Sequence, residues 1–287
     1  MSNIELKGAT FEYQELGEGE TLVLVHGSVS DYRTMKLQQE AFSQQYRTIA
    51  YSRRYHWPNS PISPDADYSM TEQLEDLESL VETLDVAPAH FVGHSYGAVL
   101  CLLLAIKRPE LVRSLVLAEP PVYRLFISNT PKPVELLKLL FTRPRTATAV
   151  IKFGATGLGP ATSLAEKGDM AAATQKFGTA VLGQEFYEGL SQERQAQVQA
   201  NTIRAEFTGS GMVALDENLI RQVQQPVLLI MGARSPALFH RLADRLEELL
   251  PSAERVTIRG ASHIMHEDNP TAYNAAILTF LAKHRSA

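Results

Sequence analysis

The sequence predicts an α/β fold: a mainly parallel sheet covered by helices on both faces and interrupted late by a helical insertion. Three observations carry this. Short apolar, β-branched runs alternate with helical patterns across the first 120 of 287 residues; the stretch 122–225 has no strand-like run; and the alternation resumes after Pro226. Fully buried parallel strands read as continuous apolar runs, which is the pattern seen here.

Taken in order, 11–15 reads as a short antiparallel edge strand, and 21–25 and 47–51 as buried strands with a helix over 32–45 between them. A helix over 70–84 follows, opened by Ser69 as N-cap with Glu72 completing a capping box. Strand 90–92, helix 97–107 and strand 114–118 complete the first part of the core, residues 1–121. Residues 122–225 read as a helical cap with amphipathic windows at 134–141, 161–177 and 192–205, and a joint at Gly154, Gly157, Gly159 and Pro160. The second part of the core, 226–287, offers strands 227–231 and 254–258 around a helix at 238–249. A last helix over 270–284 starts on Pro270, where the missing N–H costs least.

Composition excludes several functions. Lys plus Arg number 27 against 32 Asp plus Glu, for a net charge of −5, and no stretch concentrates basic residues, so neither nucleic acid nor an anionic membrane is an expected partner. The single cysteine, Cys101, rules out an internal disulfide framework and a multi-thiolate metal site. The longest apolar run, 98–106, is far below the roughly 20 residues that span a bilayer, and no apolar signal core opens the chain. The expectation is a cytoplasmic protein without metal or cofactor.

The strongest local signal is Gly93-His94-Ser95-Tyr96-Gly97, between a strand and a helix. This G-x-S-x-G turn lifts a serine hydroxyl above the sheet at a helix N-terminus, where the dipole favours developing negative charge. A serine nucleophile needs a base held by a carboxylate. His263 follows the last strand at the same carboxyl edge of the sheet and is favoured over His266; His94 is too close to Ser95 to turn back on it.

With His26-Gly27-Ser28 after the third strand, the 93–97 turn and the 260–263 segment followed by Pro270, the chain resembles the α/β-hydrolase fold superfamily over nearly its whole length. The resemblance implies an eight-stranded sheet, a helical cap after the sixth strand, a serine–histidine–acid triad, and an oxyanion hole on the backbone N–H groups of Ser28 and Tyr96. In most of the family the acid follows the seventh strand, but Ser235 occupies that position here. Some relatives, among them one subgroup of haloalkane dehalogenases and the zearalenone lactonases, place it after the sixth strand. Here that strand ends in Glu119-Pro120-Pro121, so Glu119 becomes the expected acid, with Asp216 or Glu217 in reserve.

The segment 51–58 mixes two arginines with aromatics. Arg53 or Arg54 pins a polar substrate group or ties neighbouring loops, and Trp57, Leu125 and Phe126 are candidate pocket residues. The expected chemistry is hydrolysis of a small-molecule ester or lactone through an acyl-enzyme on Ser95. The aspartate nucleophile of epoxide hydrolases and haloalkane dehalogenases is absent. Carbon–carbon bond hydrolysis, perhydrolysis on the same residues, and a ligand receptor with a vestigial triad are the rivals.

Overall fold

The computed structural model describes residues 2–63, 66–201, 206–207 and 209–285. Among them are strands β1 (Ser2–Leu6), β2 (Ala9–Leu16), β3 (Thr21–Val25), β4 (Arg47–Tyr51), β5 (Ala89–His94), β6 (Val112–Ala118), β7 (Val227–Gly232) and β8 (Ala253–Ile258). They form one sheet in the order β1-β2-β4-β3-β5-β6-β7-β8. The β1–β2 and β2–β4 pairs are antiparallel and the rest parallel. The edge strand is therefore β1, which sequence reading missed. Its side chains are mostly exposed, so it carries no apolar run.

Alternation along each strand divides the core between two faces. Val23, Val25, Leu115, Leu117, Val227 and Leu229 join one apolar cluster. Their neighbours Leu22, Leu24, Val116, Ala118, Leu228 and Ile230 join the other. Helices α2 (Met70–Thr83) and α3 (Tyr96–Lys107) cover the first face through Leu77, Leu80, Val99 and Leu102. The opposite face is closed by α1 (Lys36–Phe42) through Phe42 and by the C-terminal helix Pro270–Ala282 through Tyr273, Ile277 and Phe280. A 3₁₀ turn, Tyr32–Met35, precedes α1, so the expected helix over 32–45 begins as a tighter turn.

The chain between β6 and β7 is helical where described: α4 (Pro133–Thr142), α5 (Pro144–Phe153), α6 (Gly159–Glu166), α7 (Met170–Leu182), α8 (Gln184–Glu188), α9 (Gln192–Ala200) and a short helix Glu217–Arg221. Of the expected window 192–205, residues 202–205 lie outside the described residues. The single window 161–177 is split, because Gly168 turns left-handed and Asp169 caps α7 by accepting from Ala172 N at 3.1 Å. The expected glycine joint is instead a π-helical passage, Gly154–Leu158, that carries α5 into α6, with Gly157 pressed against Ala180. Ser69 does not cap α2 with its side chain; its backbone bridges to Gly211. Among the described residues no helix is long and apolar enough to cross a membrane.

Candidate active site

β5 ends at His94, and Ser95 sits on the bend with φ 51° and ψ −119° before α3 begins. This is left-handed backbone that L-residues avoid, at a cost of order 1–3 kcal/mol. The surroundings hold it there: Ser95 N donates to Ala118 O on β6 at 2.8 Å, and Ala98 N donates back to Ser95 O. The bend closes only without side chains on its flanks. A Cβ on Gly93 would strike the backbone of Ala98, and one on Gly97 the carbonyls of Val25 and His26.

One strand over, β6 ends in a second left-handed residue, Glu119, at φ 46°. Its N–H donates to Ile230 O at 3.1 Å, and its Oε1 accepts from Gly232 N at 2.7 Å. Its Oε2 lies 2.6 Å from His263 Nδ1, and both side chains are buried. The His263 ring stacks on Phe239 at 4.2 Å and 28°. The loop that carries it is fastened by Asp268, whose Oδ2 accepts from Ser262 N at 2.7 Å and Ser262 Oγ at 2.6 Å. With Nδ1 committed to Glu119, Nε2 is the nitrogen left for proton transfer.

His94 supports this loop from below, donating from Nε2 to His263 O at 2.8 Å. Burial first, then the neighbouring His266 and His263, hold its pKa well below the usual imidazole range. His266 packs behind His94, 4.5 Å between ring centroids, and does not line the space around Ser95. The reserve carboxylates are committed elsewhere: Asp216 caps a helix through Asn218 N at 2.7 Å, and Glu217 pairs with Arg245. Among the described residues Ser235 Oγ has no hydrogen-bond partner, although it is buried.

Ser95 opens on two small adjoining cavities. One, about 110 Å³, is walled by Ser28, Tyr68, Tyr96 and Glu206 on a polar side and by Phe153, Phe177, Met212, Leu238 and Phe239 on an apolar one. The other, about 50 Å³, adds His94, His263 and Leu182. Ser95 and Ser28 line both cavities, with Tyr96 on the first and His263 on the second.

Arg53, Arg54, Trp57, Leu125 and Phe126, the expected substrate contacts, do not line either cavity. Arg53 is buried as a loop tie: Nε donates to His26 O at 3.1 Å, Nη2 to Gly27 O at 2.9 Å, and Nη1 to Tyr68 Oη at 2.8 Å and to Gln73. Its fork thereby fixes the 26–28 loop beside Ser95. Arg54 faces away and makes a bidentate pair with Asp76 at 2.7 and 2.6 Å. Trp57 lies under the Arg33 guanidinium at 3.5 Å and donates its backbone N–H to Asn201 Oδ1. Leu125 and Phe126 pack on the core and border an outer groove with Glu135 and Arg245.

Sequence reading missed Glu206. It sits in a polar stretch without a motif, and only the fold brings it to Arg53, Tyr68 and Ser28. Burial raises its pKa, with the Arg53 charge pulling the other way.

A sheet of this order, with a serine on the β5–α3 bend and a histidine beyond β8, defines the class of α/β hydrolases. The chain belongs to the alpha/beta hydrolase family, whose model matches residues 22–276. Among curated relatives, epoxide hydrolase 2 of Caenorhabditis elegans is 28% identical over 120 residues, covering 41% of this chain and 34% of that protein. The chain spans between a third and a half of the length of the first curated relatives it matches. A 2-(acetamidomethylene)succinate hydrolase of Mesorhizobium japonicum is 24% identical over 280 residues, 97% of this chain and 94% of that one. Carboxylesterase CesB from Bacillus subtilis superposes with a TM-score of 0.72 at 20% identity, over 98% of this chain and 90% of its own. The meta-cleavage product hydrolase CumD from Pseudomonas fluorescens superposes with 0.65 at 18%, over 99% and 98%. At these identities the structural likeness is one of fold.

Proposed function

We propose that this hydrolase cleaves carboxylic esters or lactones of small to medium, mostly apolar substrates through an acyl-enzyme on Ser95. The observation that carries the reading is the buried 2.6 Å contact between His263 Nδ1 and Glu119 Oε2, at the wall of a cavity that Ser95 also lines. In this reading His263 Nε2 takes the Ser95 proton as the oxygen attacks the carbonyl, and Glu119 stabilises the imidazolium that forms. The oxyanion rests on the Ser28 and Tyr96 amides, the latter opening the twelve-residue α3. His263 protonates the departing alkoxide, then activates the water that releases the acid.

The cavity supports small, apolar acyl groups, since its largest surfaces are phenyl rings and aliphatic chains. Serine at the bend disfavours epoxide opening, which in the resembling enzymes uses an aspartate there. Carbon–carbon cleavage of a carboxylate-bearing diketone loses its expected clamp, because Arg53 and Arg54 have protein partners. The test is a panel of p-nitrophenyl esters, lactones and a vinylogous diketone with the wild type and Ser95→Ala. Ester hydrolysis that falls by about 10⁶ in Ser95→Ala, as removal of a serine nucleophile does elsewhere, is expected. Turnover surviving that change overturns the acyl-enzyme.

A further inference from the structure

We propose that Glu206 forms a polar subsite in the catalytic cavity that selects acyl groups bearing a hydroxyl near the scissile carbonyl. This deepens the reading of the site as an ester hydrolase and rests on it for the position of the carbonyl. Glu206 shares the cavity wall with Ser95 and Ser28, so a group touching its carboxylate lies beside the oxyanion loop.

Among the described residues the carboxylate meets three side-chain donors, Tyr68, Ser28 and Arg53, and two of these hold it weakly. Tyr68 Oη stands 3.1 Å from Glu206 Oε1 and 3.0 Å from His56 Nε2. His56 Nδ1 donates to Ser30 O at 2.7 Å, so its Nε2 is an acceptor in the neutral ring. One phenolic proton therefore faces two acceptors. Arg53 Nη2 is 3.5 Å away, a long contact for its second N–H, the first being given to Gly27 O at 2.9 Å. Besides Tyr68, the Ser28 hydroxyl lies within hydrogen-bonding reach of the carboxylate. A carboxylate has about four lone-pair sites, so capacity remains.

The neighbouring arginine shows what a purely structural counter-ion looks like. Asp76 grips Arg54 through both oxygens at 2.6 and 2.7 Å, away from any cavity around Ser95. Glu206 does not grip Arg53 in this way; it is set towards the cavity, where the remaining surfaces are largely apolar. Covering a largely buried carboxylate that still has open lone pairs with a methylene is costly, and a site built around such a group rejects analogues that lack the donor.

The probes are phenyl 3-hydroxybutanoate and phenyl butanoate, read in two ways. In the Ser95→Ala protein, calorimetric titration measures binding without turnover, and the hydroxy ester is expected to bind about tenfold or more tightly. Adding Glu206→Leu collapses that preference to within about twofold, while Glu206→Gln, which keeps the shape and one acceptor oxygen, leaves an intermediate value. With Ser95 present, the same substitutions shift the ratio of kcat/KM for the two esters, mainly through KM. A binding preference that is absent, or that persists in both Glu206 variants, overturns the subsite. A binding preference that depends on Glu206 without ester turnover by the wild type leaves the subsite standing and overturns the acyl-enzyme instead.

Discussion

Two neighbouring strand ends, β6 and β7, face the same histidine loop and are furnished in opposite ways. β6 ends in a buried carboxylate on left-handed backbone, bound to both Gly232 N and His263 Nδ1. β7 ends in a glycine followed by Ser235, whose buried hydroxyl has no partner among the described residues. The two ends touch: Gly232 N donates to Glu119 Oε1 at 2.7 Å, and a Cβ on Gly232 would come within 2.7 Å of Ser235 Oγ. The carboxylate's place is thus set by reach to the imidazole rather than by which strand supplies it. The donor that β7 would need for itself, Gly232 N–H, serves the β6 carboxylate.

Of the changes at these two strand ends, the largest expected effect comes from removing the charge at the β6 end. Glu119→Gln keeps the side-chain shape and should lower kcat by about 10⁴-fold, the loss seen when a triad carboxylate becomes an amide. Circular dichroism should show the fold intact, and near-wild-type turnover would show that Glu119 is not the triad acid. A smaller effect of opposite sign should come from furnishing β7. In a Glu119→Ala background, Ser235→Asp should recover about 10²-fold in kcat, because the new carboxylate enters the neighbourhood the old one left. No recovery, with the aspartate ionised and the protein folded, would show that the two ends are not interchangeable.

The smallest effect separates this seam from the other strand ends. His26, His56 and His94, beyond β3, β4 and within β5, are buried and held well below the ordinary imidazole pKa, chiefly by burial. His90, at the start of β5, is lowered to about 4 by burial, with Glu20 opposing. Because the folded pKa lies below the unfolded one, the unfolded chain takes up the proton first. For His90 the stabilisation is full above about pH 6.5 and is lost as pH falls toward 4, by up to about 1.4 kcal/mol per pH unit, and the other three rings add to the loss on acidification in the same direction. Thermal unfolding should therefore show Tm dropping between pH 7 and pH 5, and a flat Tm across that range would contradict the neutral, buried assignment.

Much of the core was legible because its physics is local. β3 and β4 carry continuous apolar runs, and the Gly93 and Gly97 flanks are needed by the bend itself. Glu119 was legible by contrast, as a carboxylate ending one strand where its neighbour offers only Ser235. What was not legible depends on distant partners. Whether Arg53 meets substrate or backbone is decided by Tyr68, Gln73 and the 26–28 carbonyls. Glu206 gains meaning only from that same arrangement, and β1 pairs through its backbone with little apolar patterning to announce it.

Ser95 and Glu119 both hold left-handed backbone that glycine would occupy without steric strain. Under the proposed mechanism, a laboratory selection that rewards heat resistance alone can relieve this strain at Ser95 only by giving up the nucleophile, and at Glu119 only by also leaving Gly232 N and His263 Nδ1 without their carboxylate. Any breeding of this enzyme for harsher conditions has to score turnover in every round.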